Sequence, residues 1–143
     1  VWAVNPKNDN LDALGNFICQ MVDRLCEDAQ LPHRLKVADL PSDVPLSSQL
    51  RHNLILAVKE AVHNVIKHAR ASELSVSVDW DGQILTIGVE DNGCGVDPAK
   101  TGSGNGLANM QRRLESSGGS FSLRSTPGGG ATVIFRTAIR PTG

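Results

Sequence analysis

Tyrosine is absent from this chain of 143 residues and aromatic side chains make up 3% of it, too few to build the stacking platform that holds single-stranded nucleic acid. An excess of one charge is lacking too. The formal net charge is -1, so no bulk field draws the protein to nucleic acid or to an anionic membrane, and a phosphate-bearing ligand must be held by a local site. No apolar run approaches the ~20 residues that span a bilayer, and the first residues do not follow the basic-then-apolar order of a signal peptide. The expectation is a soluble, intracellular domain. Three cysteines, Cys19, Cys26 and Cys94, are odd in number and have no CxxC spacing, which argues against a disulfide framework or a zinc site. Internal repeats and low-complexity segments are also missing.

What is present is a globular balance, 40% hydrophobic and 20% charged, in a length that suits one domain with its own core. Leu11, Leu14, Phe17, Ile18, Met21, Val22, Leu25 and Ala29 recur at the spacing of an amphipathic helix over residues 11–29, which Asp9 or Asn10 caps. Pro32 ends it, and residues 35–40 make a short strand closed by Pro41 and Pro45. Residues 46–69 read as a longer helix with Ser47 or Ser48 as its cap. Strands over 73–80 and 84–90 follow, joined at Asp81-Gly82, a pair that favours a tight hairpin. The polar, glycine-rich loop over 91–105 is of a length that is usually functional. Helical spacing returns over 106–117 through Leu107, Met110 and Leu114, and strands over 120–124 and 131–139 flank the turn Thr126-Pro127-Gly128-Gly129-Gly130. This order predicts an α+β fold, a two-layer α/β sandwich with about three helices on one face of a mixed, mostly antiparallel sheet.

Chemistry concentrates in three places. On the second helix Asn53, Glu60, Asn64, Lys67 and His68 fall on an arc away from the apolar stripe of Leu54, Val58, Ala61, Val62, Val65 and Ala69. A carboxylate and an amide one turn apart present oxygens to a Mg²⁺ that also holds phosphates, and Lys67 adds positive charge a turn further on. Alone, such an arc is the ordinary solvated face of a surface helix. Asp91-Asn92-Gly93-Cys94-Gly95 sets one carboxylate at a strand end, with glycines that let backbone approach a flat ligand; a plain Asx turn has the same residues. Gly102-Ser103-Gly104-Asn105-Gly106 ends where a helix pattern begins, so unpaired N–H groups and the positive end of the dipole point into the loop, a phosphate-binding arrangement. No Lys-Ser/Thr pair follows, so it is not a P-loop, and no parallel βαβ unit surrounds it, so it is not the dinucleotide fingerprint.

Together these pieces resemble the GHKL superfamily of ATP-binding domains. Glu60-Ala61-Val62-His63-Asn64-Val65-Ile66-Lys67-His68-Ala69 is similar to its N-box, Asp91-Asn92-Gly93-Cys94-Gly95 to its G1 box, Gly104-Asn105-Gly106-Leu107 to its G2 box, and Gly128-Gly129-Gly130-Ala131-Thr132 to its last glycine-threonine element, all in the family's order. The resemblance covers residues 46–140. It implies ATP and Mg²⁺ as ligands: Asn64 holding the metal with Glu60 beside it, Asp91 accepting from the adenine amine, Gly93, Gly95 and Val96 along the base pocket, and Thr132 behind the adenine. It also implies Gly104, Asn105, Gly106 and Leu107 closing on the phosphates, with residues 97–105 as a lid and Lys67 and His68 as phosphate neighbours. Glu60 takes the position of the general base in the superfamily's ATPases, which gives the catalytic set Glu60, Asn64 and Lys67.

Within the superfamily, Gly106-Leu107-Ala108-Asn109-Met110-Gln111-Arg112-Arg113-Leu114 with Gly118-Gly119 resembles the ending of nitrate- and envelope-sensing histidine kinases, and residues 1–8 look like the remnant of a dimerisation helix ahead of a catalytic domain over 9–143. None of His33, His52, His63 and His68 precedes the acidic residue of that family's phosphoacceptor box. The resemblance therefore implies a two-component sensor kinase domain that gives the γ-phosphate to a histidine of a separate dimerisation domain, with a response regulator downstream. It implies a homodimeric full-length protein with its cytoplasmic part held at the inner membrane, a monomeric isolated domain and no nucleic acid. An anti-sigma-factor serine kinase and a nucleotide-free interaction domain share the core and are the alternatives.

Overall fold

The computed structural model describes residues 10–42, 44–69, 72–93, 111–112, 114–115, 119–126 and 130–139. Helix α1 (Leu11–Asp28) starts where Asn10 accepts the Ala13 N–H at 2.8 Å, and α2 (Ser48–Asn64) starts at Ser47, whose hydroxyl accepts from the Leu50 N–H at 3.1 Å. Each cap satisfies a donor that the first helical turn leaves open. Between them lies β1 (His33–Val37), and beyond α2 come β2 (Leu74–Trp80), β3 (Ile84–Asp91), β4 (Gly119–Thr126) and β5 (Gly130–Ala138). Residues 111–112 and 114–115 are helical, as expected there, and Leu114 is fully buried.

One sheet of five strands runs in the order β1-β2-β3-β5-β4, with β1 parallel to β2 and every other pair antiparallel. Alternation splits its side chains cleanly. Val76, Val78, Leu85, Ile87, Val89, Val133 and Phe135 turn to one face and pack with Leu14, Ile18 and Val22 of α1 and Leu54, Val58 and Val62 of α2. The other face mixes polar and small side chains, Ser75, Ser77 and Asp79 beside Thr86 and Gly88, with the isoleucines Ile84 and Ile134. This is the predicted α+β two-layer sandwich. At Asp81-Gly82 the hairpin closes on the Asp81 carboxylate, which accepts from the Gln83 and Ile84 N–H groups at 2.9 and 2.6 Å, while Gly82 supplies φ +100.

Two expectations about the second helix need correction. Asn53 is buried, 7% exposed, and does not lie on a solvated arc. The buried arc of α2 is wider than its apolar stripe because α1 covers it as well as the sheet, and Arg51, itself buried, sets its guanidinium 5.6 Å from the centre of the Phe17 ring of α1. The helix also does not stay α-helical to its end. Residues Val65–Ala69 form a π-helical turn, so the 100° step that placed Lys67 and His68 relative to Asn64 does not hold across it.

His33 ties β1 to α1. Its Nε2 lies 2.6 Å from Asp23 Oδ1 and its Nδ1 3.3 Å from the Leu31 carbonyl oxygen. Both partners are acceptors, so the doubly protonated ring satisfies both. The Asp23 hydrogen bond raises the His33 pKa above its ordinary 6.5 against the opposing effect of burial, with Leu31 and Glu27 adding to the rise. The folded state then holds a proton that the unfolded state has lost, so this stabilisation is complete below about pH 6.5 and disappears as pH rises through the raised value. Because Asp23 is half exposed, the slope is worth less than ~1 kcal/mol. Denaturation midpoints measured from pH 5 to 9 should show it in the wild type and lose it in Asp23→Asn.

Candidate functional site

At the end of β3 the inner face of the sheet turns from apolar to acidic. Asp91 follows Val89 and Ile87 on that face and is 6% exposed. A carboxylate buried among hydrophobic neighbours is costly unless donors meet it, and among the described residues no cation pairs with it. Its Oδ1 accepts the Gly93 N–H at 2.8 Å. Burial pushes its pKa up, the Gly93 and Ala131 N–H groups pull it back, and Glu90 adds to the rise. A carboxylate has about four lone-pair sites, so two backbone donors leave it able to accept another hydrogen bond.

The neighbouring strand makes room for this. Gly130 opens β5 with φ +90, and a Cβ there would overlap the Asp91 carbonyl oxygen and crowd the Asn92 Cα at 3.2 Å. Only glycine fits both the conformation and the approach. The register then sets Ala131 opposite Asp91 and Thr132 opposite Glu90. Thr132 is therefore on the face of the sheet away from Asp91, and the structure does not bring these two together; the small buried side chain beside the carboxylate is Ala131.

On α2, Glu60 and Asn64 are both half-buried and one turn apart, and Lys67 is exposed on the π turn. The helix packs against β3. Further along the chain, just before β2, Ser72 and Glu73 are held beside Asp91 by Asn92. The Asn92 carboxamide oxygen accepts from the Ser72 and Glu73 N–H groups at 2.9 Å each, and its NH₂ donates to the Ser72 hydroxyl at 2.8 Å. No more than ~14 Å of chain separates Ser72 from His68. The only hint in the sequence was an asparagine beside a turn glycine, a residue type that habitually binds nearby backbone.

The His68 side chain, Gly95, Val96, Gly104, Asn105, Gly106, Leu107, the lid over 97–105, the Gly128-Gly129 pair and residues 1–8 lie outside the described residues. Among the described residues no group of three or more His, Cys, Asp or Glu side chains is arranged to hold a metal. A carboxylate and an amide on adjacent turns nevertheless suit Mg²⁺, which keeps waters and takes substrate phosphates as its other ligands.

Comparison with known proteins decides the family. Residues 50–141 match the model described as histidine kinase-, DNA gyrase B- and HSP90-like ATPase. The chain belongs to this family. Among curated proteins this ATPase domain is 32% identical over 136 residues to the sensor-type histidine kinase PrrB of Mycobacterium leprae, covering 83% of this chain and 30% of PrrB. It is 36% identical over 134 residues to the nitrate/nitrite sensor protein NarQ of Escherichia coli, covering 90% of this chain and 21% of NarQ. The chain thus spans less than a third of these relatives. A solved structure, full-length ShkA in complex with AMPPNP, superposes with a TM-score of 0.72 at 20% identity, over 93% of this chain and 31% of ShkA. The domain is a histidine kinase ATPase domain of the two-component sensor type, and no helix of its described residues is long and apolar enough to cross a membrane.

Proposed function

We propose that this domain binds Mg-ATP and gives its γ-phosphoryl group to a histidine on the dimerisation domain of the same kinase. The observation that carries the reading is Asp91, a buried carboxylate at a strand end that keeps acceptor capacity beyond its backbone donors. Such a group suits the exocyclic amine of adenine, which brings the donor that the site lacks. Gly93 and Gly95 give the flat base close access to backbone, and Val96 adds an apolar wall. Ala131, rather than Thr132, lies beside the base, because the register puts the alanine on the Asp91 face.

Phosphoryl transfer asks a protein chiefly for position and charge neutralisation. Asn64 and Glu60 supply the oxygens for Mg²⁺, whose charge offsets that of the phosphates. Lys67 and His68 lie near the phosphates, and the N–H groups around Gly104, Asn105, Gly106 and Leu107 close on them. A ring nitrogen of the acceptor histidine attacks the γ-phosphorus, the bond to the β-phosphate oxygen breaks, and ADP leaves with the electron pair. A basic group beside the acceptor takes the histidine proton. The phosphoryl group passes on to a response regulator, the intact kinase works as a homodimer at the cytoplasmic side of the inner membrane, and the isolated domain is a monomer. Similarity to PrrB and NarQ favours this over an anti-sigma-factor serine kinase.

Calorimetric titration of the full chain with Mg-ATP is the test, with an expected Kd between roughly 1 μM and 1 mM, the span usual for enzyme substrates. Chelating Mg²⁺ should weaken binding in the wild type and make little further difference in Asn64→Ala, whose binding is already poor. If the wild type takes up no nucleotide, the domain has kept the fold without the function.

A further inference from the structure

The hydrogen bonds around Asn92 join two parts of the site that are far apart in sequence. One side is the exit of α2: the π turn Val65–Ala69 carries Lys67 and His68, and the chain reaches Ser72 and Glu73 just before β2. The other is the end of β3, where Asp91 is fixed by its ladder partners Leu74 and Ala131 and by the Gly93 N–H. Asn92 is exposed, yet its side chain takes two backbone N–H groups and a hydroxyl from the first side, and its own N–H lies 3.4 Å from the Glu73 carbonyl oxygen. Two N–H donors on one atom require that atom to be the carboxamide oxygen, so the orientation of the group is determined. A π turn lacks the regular i to i-4 bonding that would by itself set the direction of the helix exit. The next described residues after the turn, Ser72 and Glu73, are the ones that Asn92 holds.

We infer that Asn92 is a positioning residue that holds the phosphate end of the site, on α2 and its π turn, in register with the purine end at Asp91. This rests on the ATP reading above. Asp91 keeps its own backbone bonds without Asn92, so recognition of the base survives removal of the clamp. Alignment of Asn64 and Lys67 with the triphosphate does not.

The experiment compares two probes, Mg-ATP by calorimetry and adenosine by NMR shift titration, on the full chain and on Asn92→Ala, Asn92→Ser and Asn92→Asp. Aspartate keeps the oxygen acceptor, and at an exposed position its charge is screened within about 8 Å. Serine keeps a shorter acceptor and alanine none. The expected result is that Kd for Mg-ATP rises about tenfold in Asn92→Ala, an amount in keeping with loss of a set of neutral hydrogen bonds. Serine should be intermediate and aspartate within about threefold of wild type, with Kd for adenosine unchanged within twofold throughout. If the alanine protein does not fold, the order of the other three decides. Parallel weakening of both probes assigns Asn92 a general structural role and overturns the inference, as does unchanged ATP binding in the alanine and serine proteins. Failure of the wild type to bind either probe would instead sink the ATP reading itself.

Discussion

Asp91→Asn should lower affinity for Mg-ATP by roughly 100-fold and leave the melting temperature unchanged or slightly higher. The substitution keeps the shape, so the cost must come from chemistry. Oδ1 is committed to the Gly93 N–H at 2.8 Å, which needs an oxygen there and turns the new amide NH₂ outward. A donor then faces the adenine amine, also a donor, and a charge-assisted hydrogen bond worth ~1.5–3 kcal/mol is lost with its partner unsatisfied. Stability does not suffer, because an uncharged side chain at a position 6% exposed removes the desolvation cost that raises the Asp91 pKa. Calorimetry and a thermal melt on one preparation check both halves. The wild type should show the same chemistry through pH: the ionised carboxylate accepts from adenine, so binding weakens as pH falls through a value above the ordinary 3.8 of aspartate. In Asp91→Asn what binding is left should lack that step.

The second large effect is expected from Gly130→Ala. With φ at +90 the backbone is in a region that side chains other than glycine enter only with strain, and the added methyl would meet the Asp91 carbonyl oxygen. Strain of this kind costs of order 1–3 kcal/mol, and relief of the overlap must come from moving β5 away from β3. A total near 3 kcal/mol should lower the melting temperature by roughly 10 °C for a domain of this size. Asp91 pairs with Ala131 across the same two strands, so nucleotide affinity should fall as well, which separates this glycine from one needed only by a surface turn. Gly82→Ala, where φ is +100 but open space surrounds the position, should destabilise less and leave nucleotide binding alone.

Much of this architecture could be read from residue order. Both caps lie where a side-chain oxygen precedes an apolar helical pattern, at Asn10 and Ser47, and each of the last four strands was visible because one residue in two is apolar. The polar residues of α2 and the acidic strand end are legible because polar types at fixed spacing are costly to keep without a use. What could not be read depends on pairing. A motif points to Thr132 at the base pocket, whereas the register with β3 determines the face, and a shift of one position separates Thr132 from Ala131. The parallel pairing of β1 with β2 leaves no local trace, since a five-residue strand reads alike in either direction. Nor does any residue type announce a π turn, and the burial of Asn53 follows from α1 lying over α2.

The strand order β1-β2-β3-β5-β4 has a kinetic consequence. Helix α1 and the β2-β3 hairpin are local and can form within microseconds. Asp91 acquires its buried setting only when Ala131 arrives beside it, and that contact closes a span of about forty residues, among the slower events in assembling such a chain. Partly folded species that precede it offer a purine nothing to hold. On the proposed reading, nucleotide would therefore act as a brake on unfolding rather than as an aid to folding, because β3 and β5 must pair before ATP can stabilise the domain.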